Sequence, residues 1–227
     1  MIAQPARRPS LNWSVEGRRV LVLAPHTDDA ELGCGGSMAK FVEAGAELHI
    51  AAFSSSEESL PPGSNPSRLR TEFTQSATEV FGLDEDQISV FDFRVRRFSE
   101  VRQDVLEAII ELHRRLSPSL VLVPSRSDIH QDHEVVHNEA ARAFKHVSML
   151  CYEMPWNQRF SELSAFVQLS SSHVATKIAA LERYQSQREL SRSYMAPSFI
   201  EGWARLRGVQ AGTEFAEAFE VHKMFLA

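Results

Sequence analysis

The chain has 227 residues, 43% of them hydrophobic and 24% charged, with a formal net charge of -6. These proportions suit a globular chain with one good-sized core, and the length does not require a second full domain. They exclude a nucleic-acid-binding surface, for which the acidic balance and the lack of a long basic run are wrong, and a membrane span, because no apolar stretch nears the ~20 residues needed. Met1 to Asn12 carries Arg7 and Arg8 with no apolar core behind them, which argues against a signal peptide. Cys34 and Cys151 make no disulfide framework, so a reducing, cytoplasmic location is expected.

In chain order, Arg19 to Ala24 reads as a buried strand, continuous and apolar. It runs into Pro25-His26-Thr27-Asp28-Asp29-Ala30-Glu31, one imidazole and three carboxylates at the end of a strand. Adjacent carboxylates repel and resist desolvation unless a cation or hydrogen bonds compensate, and a metal ion is the simplest compensation. Gly33-Cys34-Gly35-Gly36 is expected to turn tightly, before a helix from Ser37 to Ala44 closed by Gly45. Glu47 to Phe53 is a second strand, and Ser54 to Pro66 a Ser/Pro/Gly-rich loop.

Ser67 to Phe81 has helical spacing, Ile88 to Phe93 is a strand, and Val101 to Leu116 is an amphipathic helix with Ser99 as N-cap. Leu120 to Val123 is a buried strand that leaves through a polar loop, Pro124 to Gln131, into helical character from Val135 to Phe144. Met149 to Glu153 and Phe166 to Leu169 read as strands, Thr176 to Gln187 as a helix, and Thr213 to Phe225 as an amphipathic tail. Strands alternating with helices predict an α/β, Rossmann-like layer fold, a mostly parallel sheet flanked by helices. No linker or repeat divides it, so residues 1–227 are expected to form a single domain, with 1–17 as an N-terminal extension. Ligand sites in such folds lie beyond the C-terminal ends of the strands, where the loops after Leu23 and Val123 both fall.

The second of these loops, Asp128-Ile129-His130-Gln131-Asp132-His133-Glu134-Val135-Val136-His137, holds three histidines and three acids in ten residues. Imidazole and carboxylate suit zinc and similar divalent ions, and a catalytic zinc commonly takes three protein ligands and leaves room for water. His26 and Asp29 plus one histidine of the second loop would make such a set. His133-Glu134-Val135-Val136-His137 also matches H-E-x-x-H, the pattern of a zincin-type metalloprotease, but that arrangement leaves His26, Asp28 and Asp29 without a role. Gly33-Cys34-Gly35-Gly36 lacks the spacing of a dinucleotide-binding loop, and the acids before it would repel a pyrophosphate. Blander readings stand beside the chemical ones: Asp132 as a helix N-terminal acid, Glu31 as a helix cap, His137 as a packing histidine, Arg70 as a solvated helix charge.

The two loops together resemble the PIG-L/LmbE family of metal-dependent N-deacetylases. The motif A-H-P-D-D-[AE]-E followed by G-x-G-G is matched by Pro25 to Gly36, and H-P-D-H by His130-Gln131-Asp132-His133, with Thr27 and Gln131 replacing proline. Weaker echoes are Arg70, Lys177, Ser186-Gln187 and Ala216 to Phe219, so the resemblance spans roughly Val20 to Phe219. It implies His26, Asp29 and His133 as ligands of Zn2+ or another divalent transition metal, and Asp28 as the general base acting on metal-bound water. It further implies His130 as the group polarising the carbonyl, Asp132 as the residue that orients His130, and Arg70 as a substrate contact. The implied activity is hydrolysis of the acetyl (acyl) group of an N-acetylated amino sugar or glycoconjugate. The other readings are the zincin-type protease and a non-catalytic homologue that binds metal. A small-molecule or glycoconjugate substrate is expected as partner, and the resemblance allows a homo-oligomer.

Overall fold

The computed structural model describes residues 14–61 and 63–225. The reading of Met1 to Asn12, and most of the expected 1–17 extension, lie outside the described residues. Val15 is described, and it is buried in the core.

The central strand β1 (Arg19–His26) is buried from Val20 onward because each of its faces meets a different apolar layer. Val20, Val22 and Ala24 feed one core cluster, and Leu21 and Leu23 the other. This double burial explains why the strand is a continuous apolar run rather than an alternating one. After α1 (Asp29–Glu43) comes β2 (Glu47–Ser54), parallel to β1, and after α2 (Arg68–Gln75) comes the short parallel strand β3 (Ile88–Val90).

The chain then returns through α3 (Arg102–Leu116) to the other flank of β1. There β4 (Leu120–Pro124) pairs with β1 in parallel, and α4 (Gln131–Ala143) leads to the next parallel strand, β5 (Ser148–Tyr152). Next come β6 (Ala165–Leu169), the helices α5 (Ser171–Glu182), α6 (Gln185–Glu189) and α7 (Pro197–Ala211), and β7 (Phe215–Lys223). The seven strands lie in the order β3-β2-β1-β4-β5-β7-β6, with β7 antiparallel to both its neighbours. This is the expected α/β layer fold with a mostly parallel sheet.

Several elements depart from the expected ones. The tail that reads as amphipathic is strand β7, whose Phe215 to Glu220 are all buried where it slots between β5 and β6. Helix α7 has no counterpart in the sequence reading, although Pro197 at its first turn and Gly212 just past its end, at φ 69°, mark its limits. Ser99 sits in a short 3-10 turn, and Val101 rather than Ser99 stands at the N-cap of α3. The helix from Ser67 relaxes into a π-helical turn over Ser76–Val80.

The glycine run is helical instead of a tight turn. Residues Gly33 to Gly36 lie inside α1, which is kinked at Cys34 (φ -147°, ψ 23°). Their purpose is close approach. A Cβ on Gly33 would sit 2.2 Å from the Tyr152 ring, and one on Gly36 would sit 2.5 Å from Leu169. At the kink the backbone N–H groups of Gly36 and Ser37 donate to the buried carboxylate of Glu217 (3.0 and 2.6 Å), which Lys177 neutralises at 2.7 Å.

Packing at these glycines predicts opposite outcomes for two similar substitutions. Gly33→Ala should destabilise the fold by about 1–3 kcal/mol through overpacking on Tyr152. Gly202→Ala, in α7 where an added Cβ meets nothing within 4 Å, should stabilise it by roughly 0.5–1 kcal/mol. Urea unfolding of the two variants checks both signs.

Candidate metal centre

From β1 the chain moves outward on one side, and from β4 on the other, so a crevice opens beyond the carboxyl ends of these two adjacent strands. His26 ends β1, Asp28 is the N-cap of α1 and Asp29 its first residue. His130 is the N-cap of α4, with Asp132 and His133 in its first turn. Two helix N-termini therefore face the crevice, a placement that favours carboxylates.

Three donor atoms converge there. His26 Nδ1 lies 3.1 Å from Asp29 Oδ2, His133 Nε2 lies 3.1 Å from the same oxygen, and the two nitrogens are 3.4 Å apart. The remaining nitrogen of each ring is held by a carboxylate: Asp132 takes His26 Nε2 at 3.0 Å, and Asp128 takes His133 Nδ1 at 2.8 Å. A carboxylate only accepts, so those nitrogens carry protons, while His26 Nδ1 and His133 Nε2 face Asp29; rings held this way would turn these two atoms to an ion bound there. Asp29 is steadied by the His26 backbone N–H at 2.8 Å. Asp132 also accepts from the backbone N–H groups of Arg96 (2.5 Å) and Phe98 (3.3 Å), and Asp128 from that of His130 (2.8 Å).

His130 is a third imidazole of the cluster, with a ring nitrogen within 4.8 Å of those of His26 and His133. Its Nδ1 accepts the backbone N–H of Asp132 at 3.2 Å, so the neutral ring carries its proton on Nε2. Such a nitrogen donates and does not ligate. That leaves His26, His133 and Asp29, whose Oδ2 lies 3.1 Å from a nitrogen of each ring, as the donors that could hold an ion. Ligands about 2.0–2.1 Å from a tetrahedral zinc are about 3.3–3.4 Å apart, close to the three observed separations. The donor set and its carboxylate supports fit a divalent ion.

Electrostatics favour the protonated form of His26 and His133, as donors to the carboxylates around them, a positive charge that a bound cation would replace. Burial works against charging His133, but Asp29 and Asp128 outweigh it and hold the ring at about 10. For His26 burial is likewise outweighed, by Asp29 and Asp132, and its pKa is raised. Burial opposes the charge of Asp29 too, yet His133 and His26 hold it well below the carboxylate range. His130 is pushed down to about 4 by burial and then by its two neighbouring imidazoles. Asp28 is raised to about 6 by burial and by Asp29, with His26 and Arg192 tempering the shift.

These groups open into a cavity of about 370 Å³ lined by His26, Asp28, Asp29, His130 and His133, with Arg96, Trp156, Asn157, Gln187, Arg192 and Tyr194 around them. Although Asp28 stands at the N-cap of α1, its side chain makes no capping bond. Glu31 does not cap either. It is buried, accepts from Ser76, lies 2.7 Å from the Tyr184 hydroxyl oxygen, and is pushed up to about 7 by burial.

Other expected positions behave differently. The Asp132 carboxylate faces His26 rather than His130, which it meets only through its backbone N–H. Arg70 does not line the cavity, and its guanidinium is occupied by Asp92 and the Val90 carbonyl. The H-E-x-x-H arrangement does not assemble. His137 Nδ1 bonds the Pro124 carbonyl at 2.9 Å beside Cys151, and Glu134 is exposed. His137 is also absent from the metal-capable group found among the described residues.

No sequence signal gives Asp128 a role, although it lies in the same loop five residues before His133. Arg96 and Arg192 stand in segments without a motif.

Fold and site together define an α/β protein with a His/His/Asp cluster that could bind a metal at its sheet switch point. A family model described as PIG-L, GlcNAc-PI de-N-acetylase, matches residues 21–144, and the chain belongs to this family. A deacetylase of Escherichia coli (strain K12), YaiS, itself uncharacterised, is 26% identical over 173 residues, 74% of this chain and 90% of that protein. The conserved protein TT1542 from Thermus thermophilus has a similar fold, with a TM-score of 0.76 and 24% identity over 92% of this chain and 97% of that one. The N,N'-diacetylchitobiose deacetylase of Pyrococcus horikoshii superposes with a TM-score of 0.72 and 18% identity, covering 90% of this chain and 83% of that one. The family and the curated relative support a deacetylase.

Because Asp128 fixes the tautomer of His133, Asp128→Asn should weaken divalent-ion binding by roughly tenfold to a hundredfold while the fold persists. Competition of zinc against a chelator, with circular dichroism as the fold control, measures this.

Proposed function

We propose that the chain is a zinc-dependent hydrolase that removes an acetyl (acyl) group from an N-acetylated amino sugar or glycoconjugate. The observation that carries the reading is the convergence of His26 Nδ1 and His133 Nε2 on Asp29 Oδ2, with the other nitrogen of each ring bonded to a carboxylate. His26, Asp29 and His133 would hold the ion. When bound, it supplies Lewis acidity and lowers the pKa of water, and two nitrogens and one oxygen suit zinc.

The chain's own groups supply the rest. Asp28, beside Asp29 and on the cavity wall, takes a proton from the water that attacks the amide carbonyl. The Nε2–H of His130 donates to the carbonyl oxygen as charge builds on it, the kind of preorganised stabilisation that dominates acyl transfer. Loss of the C–N bond returns the Asp28 proton to the leaving nitrogen, so that amide and water become carboxylic acid and amine. Asp132 acts by orienting His26, and Tyr184 by donating to the Thr27 carbonyl, which stiffens the loop where proline is replaced. A cavity of about 370 Å³ falls within the range of small-molecule sites. Two buried free thiols, Cys34 and Cys151, favour a cytoplasmic location, and the resemblance favours an assembly of identical chains.

Two measurements test this reading. Asp28→Asn should cut acetate release by roughly a hundredfold to ten-thousandfold while sparing bound zinc, and Glu134→Gln should be tolerated. Chelation should abolish release, and added zinc should restore it. Zinc binding with no acetate from any of a panel of N-acetylated sugars would instead establish the non-catalytic homologue.

A further inference from the structure

The cavity wall carries two arginines that sit near acids, Arg192 near Asp28 and Arg96 near Glu58, but form no salt bridge with them. Arg96 and Arg192 both line the cavity, and among the described residues neither is within ion-pair distance of a carboxylate. Their neighbours are different: Arg94 pairs with Glu58 at 2.7 Å, Arg97 with Glu100, and Arg68 with Glu189 at 2.7 Å. In a chain of net charge -6, acids for pairing are plentiful, and the loop holding Arg96 uses them on either side of it.

The backbone is held at both positions, and at Arg192 the side chain is held as well. Arg96 has φ 65°, and Ser191, just before Arg192, has φ 52°. Non-glycine residues adopt such backbone at some cost, and it recurs at ligand sites. At Arg96 it delivers the backbone N–H to Asp132, which ties that residue to the metal-binding cluster. Arg192 donates to the hydroxyl of Tyr194 and lies 5.7 Å from the centre of its ring, and that ring stacks on Trp156 at 4.5 Å and 9°. An arginine held by an aromatic pair and free of a salt bridge loses little rotamer freedom when an anion arrives.

We propose that the substrate carries an oxyanion, a carboxylate or phosphate, bound by Arg96 and Arg192 while its amide lies at His130 and Asp28. A neutral N-acetylated sugar would give neither guanidinium group a salt-bridge partner. The inference deepens the deacetylase reading and depends on it only for where the amide sits.

The test uses the zinc-loaded protein and two matched pairs of probes: N-acetylglucosamine 6-phosphate against N-acetylglucosamine, and N-acetylphenylalanine against its amide. Calorimetry should show the anion of at least one pair binding roughly tenfold tighter or more, as charge-assisted hydrogen bonds provide. Arg96→Gln and Arg192→Gln should bring that ratio towards one, Arg192→Lys should keep part of it, and Arg94→Gln should leave it unchanged. Equal affinities within both pairs would overturn the proposal, as would a preference that survives loss of both arginines, since the anion would then be held elsewhere. Acetate release is measured separately. Arginine-dependent anion binding without release sinks the deacetylase reading alone, and release without anion preference sinks only the present inference.

Discussion

Three buried carboxylates, Asp29, Asp128 and Asp132, surround two imidazoles at the centre of this protein. Each desolvated charge costs several kcal/mol unless its oxygens find donors. Here every carboxylate accepts from an imidazole, a backbone N–H group, or both, and two helix N-termini add their dipoles. The two outer carboxylates orient the rings so that His26 Nδ1 and His133 Nε2 face Asp29, a convergence of donor atoms that a divalent ion could occupy. Much of the remaining structure serves to hold that geometry.

The sheet does the first part of the holding. Because β1 and β4 are parallel neighbours, the loops that follow them emerge at one end and face each other. The second part is packing behind β1. Tyr152 donates to the Leu23 carbonyl at 2.9 Å, and its ring occupies the space that Gly33 leaves open. Tyr184 reaches the Thr27 carbonyl, and the Glu217–Lys177 pair receives the N–H groups freed by the kink of α1. Residues far apart along the chain thus fix the position of Asp28 and Asp29 at the start of that helix.

How much of this could be read without coordinates depended on whether the information was local. The strands of the parallel core were plain because double burial leaves a continuous apolar run, as in Val20 to Ala24 and Leu120 to Val123. β7 was not, since a strand that alternates large and small side chains between two antiparallel neighbours resembles any amphipathic segment. Helix α7 was overlooked although a proline and a glycine bracket it. His26, Asp29 and His133 stood out because imidazole and carboxylate at strand ends have no packing motive. Arg70 was expected at the substrate on a weak alignment, and its charge is spent on Asp92 instead.

The sequence by itself determined the α/β class and the two acid- and histidine-rich loops, because these follow from hydrophobic periodicity and from rare residues placed close together. Tertiary structure alone decided which carboxylate serves which ring. Asp132 turns to His26 across 106 positions of sequence, while Asp128 reaches His133 within its own loop. It also decided that the glycines accommodate Tyr152 and Leu169, and that Arg96 and Arg192, from unrelated segments, share one cavity. Such pairings depend on the order of strands in the sheet and on side chains meeting across it, and no local pattern encodes either.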